Sequence, residues 1–323
     1  MTSDNPIDLN DRLAGTLLGT ALGDALGLPA EGMSARAVAR RFGRLDRFRL
    51  LGSTGFVSDD TEQSALVAQA IARHPDDLDL CVRAFRRSLL GWFGRLPWGV
   101  GRATILSCAR IAVGIRPSGV RSAGNGAAMR AAIVGTFFRD EAEKRLALGR
   151  ALAEVTHRDI RAVEGALYVA EVAAACTRRP SEADPFACQG EGRRVVTDPQ
   201  LARAIDRARE LAESGASILD AARECGTSGF VVQTLAFATL AFLRHSGDPF
   251  ATLVDAVSVG GDSDSIGAIL GGWLGALHGE SGLPAAPIAC IHEGPFGPTH
   301  LRALAGCLAR RRQGGVSAVP GQG

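Results

Sequence analysis

Four glycines, Gly15, Gly19, Gly23 and Gly27, recur at every fourth position of one apolar run. On an α-helix that spacing sets all four along a single, slowly drifting stripe. Each costs about 1 kcal/mol of helix propensity relative to alanine. Four on one face imply that another backbone packs there too closely for side chains. Segment 9–28 therefore reads as a buried helix. The remaining chain repeats the three-to-four residue apolar rhythm, which predicts helices over 61–74, 77–94, 102–114, 140–155, 158–178, 199–213, 216–224, 230–245, 249–258, 265–278 and 299–312. Gly-, Pro- and Ser-rich breaks separate them at 114–126, 179–198 and 279–298. The β-like runs 47–51 and 195–197 are too short for a sheet. The fold class expected is all-α, a single multi-helix domain over 9–312, with mobile tails at 1–8 and 313–323 and no internal repeat.

Charge and composition exclude several functions. With 36 basic and 34 acidic side chains the chain carries a formal +2, so its charge gives no indication of nucleic acid or anionic lipid as a partner. Lys144 is the single lysine and lies in Glu-Ala-Glu-Lys-Arg, which excludes a Walker-A loop and leaves little room for Schiff-base chemistry. The seven cysteines stand at least 12 positions apart, so no zinc ribbon or Cys-x-x-Cys pair is available. Scattered cysteines and an N-terminus without signal-peptide character point to a cytoplasmic protein. The most apolar stretch, 230–243, has 14 residues, short of the roughly 20 that span a bilayer. No membrane partner is expected.

Two acidic clusters stand about 200 residues apart, each just before a helical run. The first is Ser58-Asp59-Asp60-Thr61-Glu62; the second is Gly260-Gly261-Asp262-Ser263-Asp264-Ser265. Helix capping would explain one Asp at each, but not two. Paired carboxylates in apolar surroundings repel and lose hydration unless a cation neutralises them. Carboxylates with flanking hydroxyls suit Mg²⁺, Mn²⁺ or Ca²⁺ rather than Zn²⁺. An EF-hand fails because Ile266 stands where a fifth-position Asp or Asn is needed. Gly124-Asn125-Gly126-Ala127-Ala128-Met129-Arg130 resembles an anion-binding loop, although taken alone a simple turn is the default reading. Met129 and the lack of a preceding strand exclude a dinucleotide fingerprint. His157 follows a helical run, as many structural histidines do. Neither Gly-x-Ser-x-Gly nor His-Glu-x-x-His occurs. The glycine stripe leaves Asp24 within it, and Glu31 just after it, unexplained.

In order, 15–27, 58–61, 124–130, Thr156-His157, 229–232 and 260–265 resemble the motifs of the ADP-ribosylglycohydrolase family, which includes the dinitrogenase-reductase-activating glycohydrolases. Serine replaces threonine at several of the family's hydroxyl positions. The resemblance implies an all-α fold with a binuclear Mg²⁺ or Mn²⁺ centre in a cleft. Ser58, Asp59, Asp60, Asp262, Asp264 and Ser265 would be its ligands. Gly124, Asn125, Gly126, Ala127, Ala128 and Met129 would hold the diphosphate of ADP-ribose. Glu31 would sit by the ribose and metals, His157 near the ligand, and Phe230 on the adenine. The implied activity is metal-dependent hydrolysis of an ADP-ribosyl linkage, with Asp60 or Glu31 taking the proton of the attacking water. The acceptor expected is an arginine of a protein, with ADP-ribose as product; serine, nucleic-acid and small-molecule linkages, or a catalytically weak ADP-ribose-binding module, are the alternatives. One departure stands out. Within Trp98-Gly99-Val100-Gly101, Gly99 occupies the position where many arginine-directed relatives carry an aspartate.

Overall fold

The glycine stripe meets a second one. In the computed structural model, which describes residues 8–97, 99–245 and 247–314, α1 (Leu9–Gly27) lies antiparallel to a late helix, Ser263–His278. A Cβ built on Gly15, Gly19, Gly23 or Gly27 would stand 2.4, 2.1, 1.9 or 2.2 Å from the carbonyl oxygen of Gly275, Gly271, Gly267 or Ser263. Gly267, Gly271 and Gly275 return the same constraint against Gly23, Gly19 and Gly15. Two stripes of period four thus mesh backbone to backbone. By length and composition Leu9–Ala30 could cross a membrane, at mean hydropathy 1.2, yet 94% of that window is buried inside the protein. It is a core helix.

Sixteen α-helices make up the described chain. After α1 come α2 (Ala35–Phe42), α3 (Asp59–Arg73), α4 (Leu78–Phe93) and α5 (Arg102–Ala112). The middle holds α6 (Ala132–Phe137), α7 (Ala142–Glu154), α8 (Ile160–Thr177), α9 (Pro185–Arg193) and α10 (Pro199–Glu213). The chain then forms α11 (Ile218–Cys225), α12 (Val231–Leu243), α13 (Pro249–Val257), α14 (Ser263–His278), α15 (Ala285–Ala289) and α16 (Pro298–Gly314). The α1–α14 pair is the axis, with α8, α12, α6 and α16 packed around it. No strand occurs among the described residues, only isolated bridges. The fold is all-α, as expected.

All twelve helices expected from periodicity are present, and α2, α6, α9 and α15 are additional. Two of these, α9 and α15, interrupt segments that read as breaks. Proline at the first turn of α9 fits there because that N–H has no helical partner. In α6 all six residues are buried, so it shows no polar face and no period. Asp8 caps α1 by accepting from Asn10 N, and α16 runs on to Gly314. Asp8, Gln313 and Gly314, counted among the expected tails, are therefore ordered; the rest of 1–8 and 313–323 lies outside the described residues.

Candidate active site

Neither acidic pair is spent on capping. Ser58, not an aspartate, caps α3, its Oγ accepting from Asp60 N at 3.3 Å. Asp262 holds the cap position of α14 but makes no side-chain cap bond. Asp59, Asp60 and Asp264 fall inside the first turns, where the helix macrodipole favours negative charge. The segment before α3 is fixed from α1. Fully buried Asp24 accepts from Ser58 N at 2.9 and 3.1 Å, from Thr61 N at 3.2 Å and from Thr61 Oγ1 at 2.5 Å. Burial nevertheless raises its pKa to about 6, against these hydrogen bonds. This residue, unexplained at the level of sequence, holds the first cluster in place.

The second cluster is anchored by its glycine pair. Gly260 and Gly261 have φ of 75° and 82°, in the left-handed region that favours glycine. A Cβ on Gly260 would meet Met33 O at 2.3 Å, and one on Gly261 would meet Thr227 Oγ1 at 2.1 Å. The close approach lets Gly32 N donate to Gly261 O, and Gly261 N to Met33 O, both at 2.8 Å. Glu31 is thereby drawn beside Asp262 and Asp264, with one carboxylate oxygen of each within 4.8 Å of the others.

These elements enclose a cavity of about 310 Å³. Glu31, Asp59, Asp60, Asp262, Asp264 and Ser265 line one side; Gly124, Asn125, Gly126, Met129 and His157 line the other, with Gly99 and Arg102 also on the wall. Ser58 is buried behind Asp60, donating to its Oδ2 at 3.2 Å. Ala127 and Ala128 are buried in the core. Phe230 stands at the loop's edge, bridged to Gly124 and with the Arg161 guanidinium 5.3 Å over its ring.

None of the five cavity carboxylates forms an ion pair among the described residues. Burial, then the surrounding like charges, pushes Asp59, Asp60 and Asp264 well above the usual carboxylate range. Burial also raises Asp262 and Glu31, the latter with help from Asp262. Asp60 Oδ1 is buried without a hydrogen-bond partner. An orphaned carboxylate oxygen within a like-charged group is what a hard cation with oxygen ligands would relieve. The residues fit such a group.

The opposite wall is held by a buried cation. Arg130 donates to Gly126 O and Gln63 Oε1 at 2.7 Å, to Thr156 Oγ1 at 2.6 Å and to Leu152 O at 3.2 Å. Gln63 in turn donates to Asp59 Oδ2 at 2.8 Å, so one network joins the glycine loop to the first acidic cluster. Thr156 Oγ1 accepts from Arg130, and its one other polar neighbour among the described residues is His157 Nδ1 at 2.8 Å. Its proton therefore goes to Nδ1, because otherwise a buried hydroxyl hydrogen would have no acceptor. That leaves the ring proton on Nε2, between Gly124 and Gly126. Burial, then Arg130, lowers the His157 pKa to about 3. His157 is thus a neutral donor facing the cavity. A Cβ on Gly126 would lie 2.9 Å from His157 Cε1, so this glycine makes room for the imidazole. Asn125 links the walls directly, donating to Asp262 Oδ2 and, at 3.1 Å, to Thr234 Oγ1. Asp24, Gln63 and Arg130 have no role assigned from sequence; Asp24, in the glycine stripe, and Arg130, at the end of the 124–130 loop, carry a local signal, and Gln63 carries none.

Residues 5–317 match the ADP-ribosylglycohydrolase family. Among solved structures the chain is similar to one described as an ADP-ribosylglycohydrolase-related protein complex, at 27% identity and a TM-score of 0.74, covering 94% of this chain and 98% of that one. An uncharacterized protein of Archaeoglobus fulgidus is 29% identical over 277 residues, covering 83% of this chain and 88% of its own length.

Proposed function

The chain belongs to the ADP-ribosylglycohydrolase family, and from that premise we propose that it uses divalent metal to hydrolyse the bond joining ADP-ribose to an arginine of a protein. The observation that carries this reading is the cavity itself: five carboxylates without ion pairs face a glycine loop and a neutral histidine donor. In this reading Ser58, Asp59, Asp60, Asp262, Asp264 and Ser265 hold two Mg²⁺ or Mn²⁺ ions. Such ions would supply Lewis acidity that lowers the pKa of a water and orients ribose hydroxyls.

The remaining work falls to the chain's own groups. In this reading the loop 124–129 and the Nε2–H of His157 bind the diphosphate, and Phe230 stacks on the adenine. Asn125 N already donates to Gly229 O, Ala128 N and Met129 N to Asn125 O, and Gly124 N to Ser122 Oγ, so Gly126 offers an open N–H of the loop. Asp60 or Glu31, the latter exposed at the rim, takes the water proton. Proton removal accompanies charge development toward an oxocarbenium ion at the ribose. The participating residues run from Asp24 to Ser265, so 9–312 acts as one functional unit. All seven cysteines are free, which supports a cytoplasmic setting.

A second reading concerns the acceptor. Gly99 has φ 83°, and a Cβ there would lie 3.0 Å from Asp59 Oδ1. The wall thus offers no acid at 99 to meet a guanidinium, and Arg102 on the same wall would repel one. That favours a serine, nucleic-acid or small-molecule linkage. Incubation with arginine-, serine- and nucleotide-linked ADP-ribose, reading free ADP-ribose by mass, separates the two. Release should require Mg²⁺ or Mn²⁺ and fail with Zn²⁺. Full activity in a strong chelator rejects the metal reading, and tight ADP-ribose binding without release from any conjugate leaves a binding module.

A further inference from the structure

The balanced net charge conceals a strong asymmetry. Residues 80–139 contain ten arginines and no acidic residue, leaving 26 basic against 34 acidic side chains in the rest. The segment is therefore +10 and the remainder −8. It covers most of α4 and all of α5, and it supplies Gly99, Arg102 and the glycine loop to the cavity wall. Arg102, Arg116 and Arg121 are exposed. Half-buried Arg86 and Arg110 are held by neutral acceptors, Ser118 Oγ and Gly119 O, each at 3.0 Å. No ion pair among the described residues includes any of these five. Arg86 and Arg116 lie near enough that the second cation, after burial, holds the first below its ordinary pKa. Like charges gathered without counter-charge call for an anionic partner.

The helix between these arginines is turned inside out. Thr104, Ser107 and Cys108 face the interior, with Ser107 Oγ donating to Thr156 O at 3.0 Å. Ile105, Leu106, Ala109, Ala112 and Val113 face outward, following the helical repeat. Val113 is 72% exposed, and Ile115, two residues on, is 49% exposed. A large apolar helix face left open, rimmed by arginine and lacking acids, has the make-up of a protein interface. A polyphosphate chain would have little use for its apolar centre.

We propose that the outer face of α5, with its rim of Arg102, Arg110, Arg116 and Arg121, docks an acidic, apolar-bearing protein segment next to the ADP-ribosylated residue. This rests on the reading of the cavity as an ADP-ribose site. The face begins at the cavity wall, so a bound target would present its modified side chain to the carboxylates. Contact with the protein then supplements contact with the nucleotide.

The test uses the full chain, a peptide of alternating Glu and Leu carrying one ADP-ribosylated arginine, the same peptide with Lys for Glu, and free ADP-ribose. Calorimetry should give at least tenfold tighter binding for the acidic peptide than for the basic peptide or free ADP-ribose. Leu106→Ser with Arg116→Glu, both outside the cavity lining, should abolish that preference and leave ADP-ribose affinity unchanged. Retained helix content by circular dichroism shows that the variant folds. Equal affinity for the two peptides, or an unchanged preference in the variant, overturns the proposal. So does tighter binding of a single-stranded oligonucleotide at this face, or a dimer that Leu106→Ser converts to monomer. Loss of free ADP-ribose binding alone, with the acidic preference intact, rejects the cavity reading and leaves the docking face standing.

Discussion

Alanine at Gly19 tests the backbone contact on which the site is built. The new Cβ would lie 2.1 Å from Gly271 O, whereas ordinary contact begins near 3.4 Å. The helices must therefore separate locally by about 1.3 Å. The obstacle is a main-chain carbonyl with no rotamer to change, so the cost should fall at the upper end of the roughly 1–3 kcal/mol typical of overpacking. Alanine returns about 1 kcal/mol of helix propensity, leaving a net loss of about 2 kcal/mol. For a chain of 323 residues that is a fall of about 3 °C in Tm. Gly91→Ala in α4 is the control: nothing lies within 4 Å of its Cβ, so it should gain up to about 1 kcal/mol. Gly271→Ala added to Gly19→Ala should cost less than the sum, because one separation accommodates both methyl groups. Denaturant and thermal unfolding of the four proteins decide the matter. If Gly19→Ala is as stable as Gly91→Ala, the two backbones do not meet as described.

Four further outcomes are expected. Asp60→Asn and Asp264→Asn should each lose bound metal and turnover, and the double variant should be no worse than either single, since residues acting as a unit are not additive; independent, additive losses measured by metal stoichiometry and hydrolysis would contradict a shared centre. In metal-free protein, Asp24 has its pKa raised to about 6 from 3.8, so its stabilising contribution is fully present below about pH 3.8 and is lost as pH rises through 6; relative to Asp24→Asn, wild type should lose roughly 2.4 kcal/mol between pH 4 and pH 7, and a constant difference across that range in chelator refutes the assignment. Phe230→Ala should weaken ADP-ribose by about 1–3 kcal/mol while leaving ribose 5-phosphate nearly unaffected; equal loss for both ligands makes Phe230 a packing residue. Thr156→Val should move the His157 proton between ring nitrogens, seen in ¹⁵N shifts, and weaken ADP-ribose binding; unchanged shifts would mean that the hydroxyl does not set the tautomer.

The sequence made visible whatever depends on local periodicity. Half-exposed helices such as α10, with Leu201, Ile205, Ala208 and Leu211 buried, announce themselves by a repeating apolar face. By contrast, α2 buries only Val38 and α6 has no polar side, so neither carries the pattern. Both acidic clusters and the glycine loop were legible as chemistry, but what holds them was not. Asp24 acts on Ser58 and Thr61, 34 and 37 residues further on, and Arg130 reaches back 67 residues to Gln63. Such partnerships leave no mark on either neighbourhood. The α5 surface escaped for another reason: summing charge over the whole chain cancels a +10 segment against a −8 remainder.

The two glycine stripes also raise a question of register, which their own repeat cannot answer. A slide of four residues, about 6 Å along the helix, would bring glycine against glycine again at most contacts. It would also carry Asp262 and Asp264 away from Asp59 and Asp60, dispersing the site. The ends of the pair forbid this. At one end Asp11 accepts from Ser281 N at 2.9 Å and from Ser281 Oγ at 3.0 Å, while Glu280 N donates to Asp11 O at 3.0 Å. At the other, Ser263 Oγ donates to Gly27 O at 2.8 Å, and the Gly32–Gly261 bond closes the crossing beside Glu31. Glycine sets how near the helices come; the polar residues at both ends set where along each other they stop. Because Asp24 lies one residue beyond Gly23, and Ser263 directly opposes Gly27, the register that satisfies those ends is also the one that gathers the carboxylates.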